Sequence, residues 1–280
     1  MSHEPLMLEG KPVVAEIYAN LSSRIEALTA QGITPCLATI LVGDDPASAT
    51  YVRMKGNACK KLGMESRRIH LPADTTTKQL IDTIAKLNQD TAVHGILLQH
   101  PVPAQIDERA AFDAIDSAKD VDGVTSLGFG RMSYSVPAYA SCTPEAILSV
   151  LDHYQIEIEG KHAVVIGRSA ILGKPVSFLL LNRNATVTIC HSKTKDLAEH
   201  VGHADIVVAA VGRPKFVQGS WLKPGAVVLD AGYNEGNIGD ADFESCLDKV
   251  KAITPVPGGI GPVTIAKLLQ HTVEAAEASV

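Results

Sequence analysis

No apolar run in this 280-residue chain approaches the length needed to cross a bilayer, and no stretch is rich in arginine and lysine. The first absence leaves a membrane role without support. The second does the same for nucleic-acid binding, and the balance of 25 Lys and Arg against 31 Asp and Glu gives a net charge of -6. Cysteines are few. Cys36, Cys59, Cys142, Cys190 and Cys246 are odd in number, scattered, and lack the paired spacing of a metal site. They fit reduced thiols in a cytoplasmic compartment, and no metal is expected. The opening "MSHEPLMLEGKPVV" has no cationic start, apolar core or cleavage site, so it reads neither as a signal peptide nor as an anchor. Internal repeats and low-complexity segments are also missing. What is present, 46% hydrophobic and 20% charged residues, is the composition of a soluble globular protein long enough for two domains.

Strand-like and helix-like segments alternate. "PCLATILVG", "SRRIHLP" and "VHGILLQHPVP" read as strands, separated by the helix around "TYVRMKGNACKKLGM" and the amphipathic "TKQLIDTIAKLNQD". "IDERAAFDAIDSAKDVDG" reads as a helix ending in a turn, and the Gly- and Ser-rich "VTSLGFGRMSYSVPAYASC" as a linker. After the helix of "CTPEAILSVLDHYQIEIEG" a cleaner series follows, with strands in "KHAVVIG", "ATVTIC", "ADIVVAAVG" and "GAVVLDAG" and a helix in "AILGKPVSFLLLNRN". A Pro/Gly loop then feeds a terminal helix. The fold class is α/β with parallel strands in two domains.

The turn "VVIGRSAILGKP" follows a strand and opens a helix, where a doubly wound sheet binds a dinucleotide. The full G-x-G-x-x-G is absent, so a purely structural turn stays open. Gly167 allows close backbone approach, and the helix N-terminus suits phosphate. The next strand runs into "CHSKT". There is no acid to bond a ribose 2′-hydroxyl, and Ser192 and Lys193 stand there with Arg168 nearby. That set favours NADP over NAD.

In the first half, Asp45 can cap a helix with Pro46 in its first turn. On that helix Tyr51, Ala58, Cys59 and Leu62 share one side, with Lys55 in their midst and Arg53 and Lys60 pointing away. Lys55 either snorkels along the edge or faces a cleft with its pKa lowered by desolvation. Gln99 sits at a strand's carboxyl end. Asp120 and Asp122 fall in the turn "KDVDG", and "TPVPGGIGPVT" forms a stiff loop suited to close approach of a flat ligand.

The stretches "YVRMK", "GILLQHPVP", "KDVDG", "CTP", "VVIGRSAILGKP", "ATVTICHSKT", "DAG" and "TPVPGGIGPVT" occur in one order along nearly the whole chain. In them the sequence resembles the bifunctional methylenetetrahydrofolate dehydrogenase/cyclohydrolase family. The resemblance implies a folate-binding catalytic domain, 1–140 plus 265–280, and a Rossmann-like NADP-binding domain, 141–264, with the active site in a cleft between them. It places Tyr51, Lys55, Gln99 and Asp122 at catalytic and folate-contacting positions. Leu98, His100, Pro257, Gly258 and Gly261 would complete the folate site. Gly167, Arg168, Ser169, Ser192 and Tyr233 match NADP-contacting positions. His100, Gly128, Ser141 and Tyr233 depart from the family's usual leucine, asparagine, proline and isoleucine.

The resemblance also implies the chemistry. Hydride leaves 5,10-methylenetetrahydrofolate for NADP, water adds to the resulting 5,10-methenyl cation, and ring opening gives 10-formyltetrahydrofolate. A neutral Lys55 suits general base and acid work on the hydrolytic step, with Gln99 holding it, Tyr51 offering a ring face and Asp122 accepting from the pterin. The implied partners are tetrahydrofolate derivatives and a second copy of the chain as a homodimer. Two other readings stay open: another NADP oxidoreductase of the same layout, such as a shikimate dehydrogenase relative, and a non-catalytic binding protein that kept the fold.

Overall fold

The computed structural model describes residues 4–280. In chain order the first half forms β1 (Leu6–Met7), α1 (Gly10–Ala30), β2 (Cys36–Val42), α2 (Pro46–Lys61), β3 (Glu65–Leu71), α3 (Thr77–Gln89), β4 (Gly95–Leu98), α4 (Glu108–Asp113), α5 (Ser126–Ser133) and α6 (Cys142–His153). The second half forms β5 (His162–Ile166), α7 (Gly173–Asn182), β6 (Thr186–Cys190), α8 (Leu197–Gly202), β7 (Ile206–Ala209), β8 (Ala226–Asp230), α9 (Phe243–Cys246), β9 (Val250–Ile253) and α10 (Ile260–Glu277).

The chain divides into two compact units. One holds Glu16–Cys142 and Ile265–Val280. Its sheet has three parallel strands in the order β3-β2-β4. β2 is buried along its whole length, as the apolar run "CLATILV" requires of a central strand covered on both faces. Leu21, Ile25, Leu37, Leu97, Leu268 and Leu269 join one core, so both α1 and α10 pack into it. α2 starts as its sequence dictates, with Asp45 Oδ2 accepting the Ser48 N–H at 2.7 Å and Pro46 at the first helical position. α3 starts with a capping box between Thr76 and Gln79.

The other unit holds the residues up to Ala15 and Thr143–Thr264. Its six strands are all parallel, in the order β1-β9-β8-β7-β5-β6. From β5 the chain steps to one side for β6 and then crosses to the other for β7. The carboxyl ends of β5 and β7 therefore form the topological switch point.

Three expectations differ from what is observed. The N-terminal segment lies with the second half, because Leu6 and Met7 pair with Ala252 and Ile253, and Leu8 N–H donates to Ile253 O at 2.8 Å. The α4 helix is only six residues long, and the rest of "AIDSAKDVDG" is turns. The supposed linker contains α5. Thr125 caps it through the Gly128 N–H, and carboxylates from outside the helix hold its entry: Asp120 accepts from Val124 and Thr125, and Asp113 from Ser126. Glycines and serines conceal a helix whose start is fixed from a distance.

Gly123 has φ +65°, and a Cβ there would lie 2.3 Å from the Ala140 carbonyl carbon, whereas Gly63, at φ +75°, has open space around it. Urea unfolding should separate the two. Gly63→Ala should cost ~1–2 kcal/mol from the left-handed backbone alone. Gly123→Ala adds a backbone clash and should cost about 3 kcal/mol or more.

Candidate active site

Lys55 lies in the middle of α2, one turn after Tyr51, and both are half-buried while Arg53 and Lys60 are exposed. Gln99 follows β4 directly, and its own N–H continues the ladder to Ile40 O at 2.8 Å. The two side chains meet. Lys55 Nζ donates to Gln99 Oε1 at 3.0 Å, and Gln99 Nε2 donates to His100 O at 2.8 Å. The second bond fixes which way the amide faces, so Lys55 meets oxygen rather than NH2.

Burial pushes the Lys55 pKa below the ordinary lysine value, and the nearby Asp122 carboxylate opposes this. Asp122 is itself raised by burial, against the attraction of Lys55 and smaller lowering contributions from Cys142, His271 and His100. His271 and Cys142, which sequence reasoning passed over, brace this turn. His271 Nδ1 bonds Val121 O at 2.8 Å, so that nitrogen carries the proton, and Cys142 N–H donates to Asp122 O at 3.3 Å. His100 is exposed and its Nδ1 meets Glu108 Oε1. Leu98 is 2% exposed, so its side chain belongs to the core. One unit thus brings together Tyr51, Lys55, Gln99, His100 and Asp122.

The remaining candidates belong to the six-stranded unit. Gly167 follows β5 with φ +133°, and a Cβ there would lie 2.1 Å from Ala210 O. A Cβ on Gly173 would lie 2.3 Å from Gly167 O. Only glycines let the turn, the helix and the strand pack so closely. Ser169 Oγ accepts the Gly173 N–H at 3.2 Å, and Arg168 is exposed beside it. Ser192 and Lys193 are exposed after β6, in a loop held by Thr194 and His191. Tyr233, exposed in the loop after β8, donates its hydroxyl to Asn237 Oδ1. Pro257, Gly258 and Gly261 are exposed around the start of α10, and Gly258 O accepts the Gly10 N–H at 2.8 Å. A flat glycine turn at the switch point, cationic side chains nearby and no carboxylate after β6 suit a phosphorylated dinucleotide.

A parallel sheet with such a turn at its switch point is the frame of a dinucleotide-binding α/β protein. Residues 8–122 match the tetrahydrofolate dehydrogenase/cyclohydrolase catalytic domain, and residues 141–280 match the NAD(P)-binding domain of the same proteins. The chain belongs to the tetrahydrofolate dehydrogenase/cyclohydrolase family. It is 66% identical over 277 residues to the bifunctional protein FolD of Shouchella clausii, covering 99% of both chains. Among solved structures it is similar to the bifunctional FolD methylenetetrahydrofolate dehydrogenase/cyclohydrolase of Campylobacter jejuni, with 42% identity, TM-score 0.95, and 98% and 99% of the two chains covered. It is also similar to the Trypanosoma brucei enzyme solved with NADP cofactor and inhibitor, with 36% identity, TM-score 0.94, and 99% and 98% covered.

The electrostatics at Lys55 can be read directly. Asp122→Asn removes the attraction that holds the proton on Lys55, so Lys55 should deprotonate at a lower pH than in the parent. A chemical-shift titration of the Lys55 Cε checks the direction, and an upward movement would contradict the assignment.

Proposed function

We propose that this chain oxidises 5,10-methylenetetrahydrofolate to 5,10-methenyltetrahydrofolate with NADP, then hydrolyses that product to 10-formyltetrahydrofolate. The observation that carries the reading is the Lys55–Gln99 pair, a partly covered amine at 3.0 Å from a neutral oxygen, in a chain of this family. An ammonium ion beside a cationic methenyl group would be repelled. A lysine that loses its proton readily takes a proton from the attacking water and returns it to the departing ring nitrogen. Gln99 holds the amine in place. Tyr51 offers its ring face to the folate, and Asp122 accepts hydrogen bonds from the pterin. His100 borders the same substrate, and in this reading Pro257, Gly258 and Gly261 are the folate contacts of the six-stranded unit. Leu98 contributes through its backbone, since its side chain is enclosed.

NADP, when bound, supplies the hydride acceptor. In this reading Gly167 lets the nucleotide approach the backbone, Arg168 and Ser192 hold the 2′-phosphate, Ser169 adds a hydroxyl, and Tyr233 borders the nucleotide. Arg168→Ala should lose about 1.5–3 kcal/mol of NADP affinity and change NAD binding little. Equal kcat/KM for the two cofactors in the parent would contradict the preference.

Lys55→Met tests the central claim, because methionine keeps the apolar stem and removes the amine. Methenyl hydrolysis should fall ~10²-fold or more, with hydride transfer falling less. Parallel loss of both with a raised KM would mean that Lys55 anchors folate instead.

The proposal extends to a cytoplasmic homodimer. All five cysteines are buried and free, as a reducing compartment allows. β6 is an outer strand of its sheet and carries Ile189, 39% exposed, which suits pairing with a second copy. Sedimentation at micromolar concentration should give a dimer, and a monomer would refute it. Among the described residues no helix is long and apolar enough to cross a membrane.

A further inference from the structure

The loop after β7 carries three consecutive N–H groups that converge on one side chain. Val211 and Gly212 donate to Asp240 Oδ2 at 2.6 and 2.8 Å, and Arg213 donates to Oδ1 at 2.9 Å. Asn234 Nδ2 adds a fourth bond to Oδ1 at 3.0 Å. Gly212 has φ +62°. Successive N–H groups around a left-handed residue form a concavity that binds anions. Here the anion is the chain's own carboxylate, 0% exposed, with its four acceptor positions occupied. Asp240 is fixed in turn. Its N–H donates to Asp230 Oδ1 at 3.0 Å, and Asp230 also accepts from Gly232 and Ala241. Gly232 cannot carry a side chain, since a Cβ would lie 2.1 Å from Asp240 Cγ.

The consequence falls on the other side of the loop. In a trans peptide the C=O points opposite to the N–H. With three N–H groups turned toward Asp240, the carbonyls of Ala210, Val211 and Gly212 turn away from it. Ala210 O is the atom that closes on Gly167 at the switch point. The loop therefore sets an acceptor, Ala210 O, beside the first turn. An acceptor in that place suits the hydroxyl and amide donors of a nucleotide.

We infer that Asp240 is a positioning residue for the dinucleotide: by filling the anion-binding concavity of residues 211–213 it holds the Ala210 carbonyl toward the Gly167 turn. This rests on the reading of the six-stranded unit as an NADP-binding domain. Asparagine at 240 is nearly isosteric, but its NH2 must face either the Val211 and Gly212 N–H groups or the Arg213 N–H and the Asn234 NH2. Either orientation sets donor against donor, and the loop must turn.

The test measures NADP binding by titration calorimetry and methenyl-folate hydrolysis in the absence of NADP. Asp240→Asn should raise the NADP Kd ~10-fold or more while hydrolysis stays within about twofold of the parent. Asn234→Ala, which removes one bond to the same carboxylate, should raise the NADP Kd about threefold. A folded Asp240→Asn with parent-like NADP affinity overturns the inference. So does a parallel loss of binding and hydrolysis, which would mark general damage. If Asp240→Asn does not fold, Asn234→Ala decides, and an unchanged Kd overturns it. A parent that binds NADP but does not oxidise methylenetetrahydrofolate would defeat the proposed function and leave the role of Asp240 standing.

Discussion

Covering the Lys55 amine costs its charged form more than its neutral one, and the surrounding groups are arranged around that difference. The partner at 3.0 Å is the neutral oxygen of Gln99. A carboxylate in that place would hold the proton on the amine and undo the effect of burial. The glutamine is prevented from flipping by its own bond to His100 O, so it cannot present NH2 to the lysine without losing both bonds. The one carboxylate with a marked influence on Lys55, Asp122, is itself raised by burial. Amine and carboxyl therefore temper each other, and the amine stays below the ordinary lysine range.

A second constraint, close approach of backbone, organises the six-stranded unit. The turn after β5 lies against both the loop after β7 and the start of α7, at distances that exclude a Cβ at Gly167 and Gly173. Such closeness leaves no room for error in the loop that faces Gly167. Two buried carboxylates supply the rigidity. Asp230, pushed up to about 6 chiefly by burial and partly by Asp240, gathers N–H groups from residues 232, 240 and 241. Asp240 gathers those of residues 211–213. The loops after β7 and after β8 are thereby tied to each other.

Local signals in consecutive residues were legible. The cap at Asp45, the apolar run of β2, the amphipathic pattern of α3 and the central place of Lys55 on its helix all follow from spacing alone. The family's motifs were legible in the same way, as short ordered strings. Less visible were elements whose cause lies elsewhere in the chain. α5 reads as a loop because its glycines and serines hide an entry fixed by Asp113 and Asp120. β1, two residues long, has no pattern to detect and exists because β9 offers it an edge.

The sequence by itself determined where strands β2 to β8 run, that Lys55 faces the apolar side of its helix, and that no acid directly follows β6. The tertiary structure alone decided what those residues meet. The partner of Lys55 lies 44 positions away, and the three N–H groups held by Asp240 lie 27 to 29 positions from it. Proton affinity and loop orientation depend on which groups are brought within 3 Å of one another and which are kept from water. Strand order and register set those distances, and no local pattern of side chains encodes them.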